Sequence, residues 1–142
     1  MDKPTFVYVT YIATTLEQLW EAITSEAFTQ QYWEGGQLQS DWQMGSSVQQ
    51  IDKDGESEDI GEVLESQPPC LLSYTFGSSN IVGSAPNRVR FELEQYGSTV
   101  KLTLIHDRLD IQSYMSVSRR WTASLSYLKR LLEIEDVLAL VA

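Results

Sequence analysis

The chain has 142 residues, 42% of them hydrophobic, which suits one compact domain that removes roughly 70% of its unfolded surface from water. Its 20 acidic residues against 10 basic ones leave a net charge of −10, which repels phosphate backbones and anionic lipid and excludes nucleic acid as a partner. No run approaches the roughly 18 apolar residues of a membrane span, and the start, MDKPTFVYV, lacks the basic and apolar segments of a signal peptide, so a cytoplasmic protein is expected.

Residues 5–12, TFVYVTYI, are nearly all aromatic or β-branched and predict a strand. A helix follows, capped by Thr14 or Thr15 with Glu17 or Gln18 three residues on. Leu16, Leu19, Trp20 and Ile23 then share one stripe, so Trp20 reads as core. A second short helix is expected from Ser25 through EAFTQQYW, with EGG ending it.

From about residue 37 to 106, short segments are punctuated by Gly, Pro, Asn and Ser, the pattern of an antiparallel meander. SSVQQI and GEVLES flank DKDGESED, where Asp54-Gly55 makes a natural hairpin turn. CLLSYTF is the next strand, GSSNIVGSAPN a loop, and RVRFELE alternates with Val89, Phe91 and Leu93 on one face and Arg88 and Arg90 on the other. A turn at 95–98 returns the chain as TVKLTLIH. From about Ile111 to Leu132, Val117, Trp121, Leu125, Leu128 and Leu132 recur at helical spacing, with Arg119, Arg120, Lys129 and Arg130 off the stripe. The order gives one α+β domain over 1–142: a curved antiparallel sheet of about six or seven strands covered by a long C-terminal helix.

These blocks carry a family likeness. TTLEQLWEAITSEAFTQQYWEGG, MGSSV, GEVLESQPPCLLSYTF, VRFELEQYGSTVKLTLIHDRL and SLSYLKRLLE resemble, in order and spacing, the activator-of-heat-shock-chaperone-ATPase-like family within the START and birch-pollen-allergen-like superfamily. The likeness runs from about residue 5 to 133, and 134–142 extends past it. The resemblance implies the helix-grip fold, a sheet gripping its last helix with an apolar cavity between them. It also implies a chaperone partner for two-domain relatives, whose separate N-terminal domain is not expected in a chain of 142 residues.

Several residues are candidates for lining such a cavity. Tyr74, Phe76, Phe91, Leu104, Trp121 and Leu125 fall on inward faces, and Trp121 either fills the cavity or forms its wall. Trp33 and Trp42 flank a loop at the sheet edge and are either pocket lining or core. His106, the only imidazole, shares a strand face with Val100, Leu102 and Leu104. It orients a ligand or moves a proton, or else it supports a helix or turn by hydrogen bonds to backbone, with Asp107 next door and Asp110 just beyond.

Catalytic and metal signatures are missing from the sequence. There is no GxSxG elbow, and His106 and Asp107 project to opposite faces, so no nucleophilic triad, metal site or cofactor is expected. The acidic DKDGESEDIGE lacks the glycine spacing of a calcium loop. Cys70 has no second thiol to pair with and reads as a small buried or half-buried residue beside Pro68 and Pro69. The expected function is binding of a small apolar or aromatic ligand in the cavity. The alternatives are a chaperone-interacting module and a small cyclase or hydrolase. The apolar tail residues Val137, Leu138, Leu140 and Val141 should dock on this domain or on a second copy, as a homodimer.

Overall fold

The computed structural model describes residues 4–26, 29, 37–52, 54–76 and 87–141, apart from the side chains of 59, 76 and 135–141. In chain order these form β1 (Phe6–Ile12), α1 (Leu16–Thr24), β2 (Gln37–Gln39), β3 (Ser47–Ile51), β4 (Ser57–Gln67), β5 (Leu71–Phe76), β6 (Asn87–Tyr96), β7 (Thr99–Asp107) and α2 (Ile111–Val141). The described strands pair antiparallel in one seven-stranded sheet of order β1-β7-β6-β5-β4-β3-β2.

Alternation decides which face of the sheet is dry. On β7, Val100, Leu102, Leu104 and His106 are buried while their neighbours are partly exposed. The register sets Val89 of β6 opposite His106, and Phe91 opposite Leu104. The inward rows thus continue across strands, as a period of two requires. α1 starts where Thr15 accepts a hydrogen bond from the Gln18 N–H at 3.1 Å, and it buries Leu19, Ala22 and Ile23. α2 lays Trp121, Leu125, Leu128 and Leu132 onto the same core.

The C-terminal half of α2 also finishes the open edge of β1. Lys129 Nζ donates to the Tyr11 carbonyl at 2.7 Å and to Glu133 at 2.7 Å, and Glu133 accepts from the Ala13 N–H at 3.0 Å. One side chain donates and the other accepts, as an adjoining strand would, so this end of the edge is occupied.

Several expectations need correction. α2 does not end near Leu132 but runs to Val141, because EIEDVLALV contains neither glycine nor proline to stop it. β4 starts at Ser57 instead of after the acidic loop. Asp52 Oδ1 accepts from the N–H groups of Asp54 and Glu56, which tightens the hairpin and frees SEDI to pair with β3. Cys70 is exposed, because it sits in the turn joining β4 to β5. The second helix lies outside the described residues except for Glu26 and Thr29, as do the side chains of the tail. Among the described residues no helix is long and apolar enough to cross a membrane.

Two predictions follow from this packing. A Cβ at Gly61 would be driven into the Thr75 backbone carbonyl, so Gly61→Ala should destabilise by about 1–3 kcal/mol or more, read as a shift in denaturant midpoint at unchanged slope. Burial alone would raise the Glu133 pKa, but the hydrogen bonds from Lys129 and the Ala13 N–H, with the Lys129 charge, outweigh it and hold the carboxyl below its usual value. The stabilisation is therefore present above the unfolded carboxylate pKa and lost as pH falls through the folded one. Glu133→Ala should cost about 1 kcal/mol at neutral pH, with the difference from the parent narrowing in acid.

Candidate functional site

The inward face of the sheet brings six of the sequence candidates together. Tyr74 on β5, Phe91 on β6, Leu104 and His106 on β7, and Trp121 and Leu125 on α2 are each no more than 2% exposed. Phe91 meets the Trp121 ring edge-on at a centroid distance of 5.7 Å, and His106 meets it at 6.4 Å. Leu104 lies beside Phe91 in register. Tyr74 turns instead toward Trp42, at 5.6 Å, and its burial pushes the phenol pKa well above the usual range. Trp33 lies outside the described residues, and of Phe76 only the backbone, at the end of β5, is described.

His106 is the polar centre of this cluster. The Trp121 Nε1–H donates to His106 Nδ1 at 3.0 Å, and His106 Nε2 lies 2.7 Å from Asn87 Oδ1. An indole N–H only donates, so Nδ1 carries no proton and Nε2–H is the donor to Asn87. Burial lowers the His106 pKa to about 4, against which the nearby Asp107 charge works and to which the Arg120 charge adds. The ring is therefore neutral at pH 7, with both nitrogens engaged. Asp107 points to the opposite face, where it takes the Arg88 guanidinium at 2.6 Å, so the adjacent pair does not act as a dyad. The arrangement suits an orienting histidine and offers no poised acid or base.

Sequence reasoning missed three features of the site. Asn87 was not singled out, although it opens β6 on the strand beside His106; its role depends on a pairing register that local sequence does not carry. A groove of about 670 Å³ runs along the first half of α2, lined by Gln112, Met115, Ser116, Arg119, Arg120 and Ala123. A second depression of about 400 Å³ lies between α1, the 41–44 turn and the end of β4, and holds Trp20 and Trp42. None of the six described candidates lines either one.

Trp42 answers the question of lining or core with both. It is 8% exposed and packed on Tyr74, yet it borders that second depression. Its φ of +55° is a left-handed conformation that costs a bulky residue about 1–3 kcal/mol. Ser40 Oγ accepts from its N–H at 3.0 Å and Ser66 Oγ donates to its carbonyl at 2.7 Å, which pins the turn. Its buried Nε1 has no hydrogen-bond partner among the described residues. No group of three His, Cys, Asp or Glu side chains among the described residues is placed to hold a metal.

The sequence pattern of the family described as "Activator of Hsp90 ATPase homolog 1-like protein" matches residues 13–133. Comparison with curated proteins finds no match. Among solved structures the chain is similar to protein MLL2253 from Mesorhizobium loti, with 21% identity, TM-score 0.79, and 92% of this chain and 97% of that one covered. It is also similar to the Aha1 dimer from Colwellia psychrerythraea, at 19% identity and TM-score 0.76 with 92% and 97% covered. A third similar structure, from Cytophaga hutchinsonii, has 22% identity and TM-score 0.75, with 96% and 99% covered. At these identities the likeness shows the fold, the helix-grip of a curled antiparallel sheet and a long C-terminal helix.

The His106 pKa makes a prediction. A histidine whose folded pKa lies below its unfolded value of 6.5 is bound to fewer protons in the native state between pH 4 and 6.5, so stability falls as pH drops through that window. Between pH 7 and 5 the parent should lose about 2 kcal/mol more than His106→Gln, measured by denaturant unfolding of both. Equal losses in the two proteins would show that His106 is not the titrating group.

Proposed function

Since the chain belongs to the activator of Hsp90 ATPase homolog 1-like family, we propose that it is a cytoplasmic binding domain that holds a small apolar or aromatic molecule between its sheet and α2. The observation that carries this reading is the convergence of Tyr74, Phe91, Leu104, Trp121 and Leu125 around one oriented, neutral imidazole. That is the usual make-up of a ligand pocket, mostly apolar with very few placed polar groups. None of these side chains lines the groove along α2 and each is buried, so a guest enters by displacing the Trp121 ring from His106.

The chemistry of His106 narrows the guest. A molecule that takes the place of the Trp121 ring must supply a donor to Nδ1, since leaving a buried acceptor unpaired costs about 1–3 kcal/mol. A phenolic or alcoholic hydroxyl does this, and a bare carbonyl does not. Hydroxylated aromatic molecules are therefore favoured over fatty-acid tails.

A second reading, a module docking on a chaperone, draws on the family description and on the outer face of the sheet. There Val7, Val9, Tyr11 and Tyr96 are about half exposed, an apolar surface suited to a protein partner. The Colwellia relative is a dimer by its own description, so a second copy is the other partner to consider for this face.

Native mass spectrometry and tryptophan fluorescence distinguish these readings. Titration with flavonoid-like polyketides, sterols and fatty acids should give saturable binding at micromolar concentration, about 8 kcal/mol, with the hydroxylated aromatics tightest. Leu125→Trp should block binding while the fold survives. No binding below about millimolar, or an unchanged Leu125→Trp variant, would sink the interior-guest reading and leave capture of a chaperone from lysate as the deciding measurement.

A further inference from the structure

Charge is divided unevenly along this chain. Residues 4–87 carry twelve acidic side chains and one basic one, Lys53, while eight of the ten basic residues lie from Arg88 onward. The depression that holds Trp20 and Trp42 belongs wholly to the acidic part: its described lining includes Thr24, Asp41, Met44 and Pro68 and no basic residue. A neighbouring depression of about 290 Å³ shares Asp41 and adds Glu26, Gln39 and Gln49, again without a described basic side chain.

Two indole rings lining a depression beside a carboxylate, in a chain of strongly negative net charge, select for one kind of guest. Indole is the strongest aromatic partner for a cation, and a cleft of one charge sign raises the local concentration of the opposite one. A metal ion is not favoured, because no metal-competent cluster exists among the described residues and indoles are poor ligands for a strongly hydrated ion. The strained, doubly pinned Trp42 turn shows a ring held in place at the expense of local stability, as at binding sites.

We propose that this depression binds an organic cation with an apolar arm, of the quaternary ammonium or N-methylated amine class. The ammonium group sits against the Trp20 and Trp42 rings beside Asp41, and the arm lies over Met44 and Pro68. The site shares no lining residue with the interior cluster and does not depend on a guest being there.

The test uses the full chain labelled with nitrogen-15 and follows the indole N–H signals of Trp20, Trp42 and Trp121 by NMR. Benzyltrimethylammonium is titrated beside phenylacetate, its anionic counterpart, and benzyl alcohol, a neutral one. The cation alone should shift the Trp20 and Trp42 signals saturably, with a dissociation constant below about 1 mM that weakens as salt is raised. Asp41 is exposed, so Asp41→Asn leaves the fold intact and should weaken binding about three- to fivefold, with Trp20→Leu weakening it further. Equal shifts with phenylacetate or benzyl alcohol, no saturable shift with the cation, or an Asp41→Asn variant that binds as tightly as the parent would each overturn the proposal. Shifts confined to Trp121 would overturn it too, and would point to the interior.

Discussion

The hydrogen bond from the Trp121 indole to Nδ1 of His106, 3.0 Å long and fully buried, sets where the long helix lies on the sheet. Apolar contact between Leu125, Leu128, Leu132 and the inward rows supplies most of the attraction, but such contact is non-directional and tolerates sliding by a residue. A hydrogen bond between two fixed rings does not. Eight residues further along, Lys129 and Glu133 fasten the same helix to the backbone of β1 and its following turn. At 1.5 Å per residue the two fastenings are about 12 Å apart, enough to fix both the position and the direction of α2.

Why an imidazole stands at this point follows from its surroundings. A buried position near Phe91, Val89 and Trp121 strongly disfavours a charge, and a neutral histidine can remain there because one ring nitrogen accepts from the indole while the other donates to the amide oxygen. The bond to Asn87 carries the link onward to the first residue of β6. One polar chain thus runs from α2 through β7 to β6, and any molecule entering the interior must replace its bonds as well as its volume.

Period and stripe made most of the fold legible in the sequence. The alternation of Val100, Leu102, Leu104 and His106, and the spacing of Trp121, Leu125 and Leu128, state burial locally, because each side chain's face is set by its own backbone. The parts that were not legible depend on partners distant in sequence. The tautomer of His106 is decided by Trp121, fifteen residues on, and by Asn87, nineteen residues back. β2 is three residues long and contains two glutamines, so it exists through its pairing with β3 and not through any propensity of its own. The Trp42 conformation is imposed by Ser40 and Ser66, and a tryptophan in the left-handed region has no sequence signature at all.

The same tertiary pairing explains why one part of the molecule stays acidic. Arg88 is engaged by Asp107 across β6 and β7, and Arg90 reaches Glu65 at 2.7 Å and Glu92 at 3.6 Å on the outer face. Lys129 is occupied by Glu133 and the Tyr11 carbonyl. These ion pairs are half-exposed, so each contributes little to stability, about 0–1 kcal/mol. Their larger effect is on the field, because they place cationic side chains over the central strands and the helix. Glu26 and Asp41, beyond β4, have no described basic neighbour in their depressions, so the potential around Trp20 and Trp42 is left uncompensated.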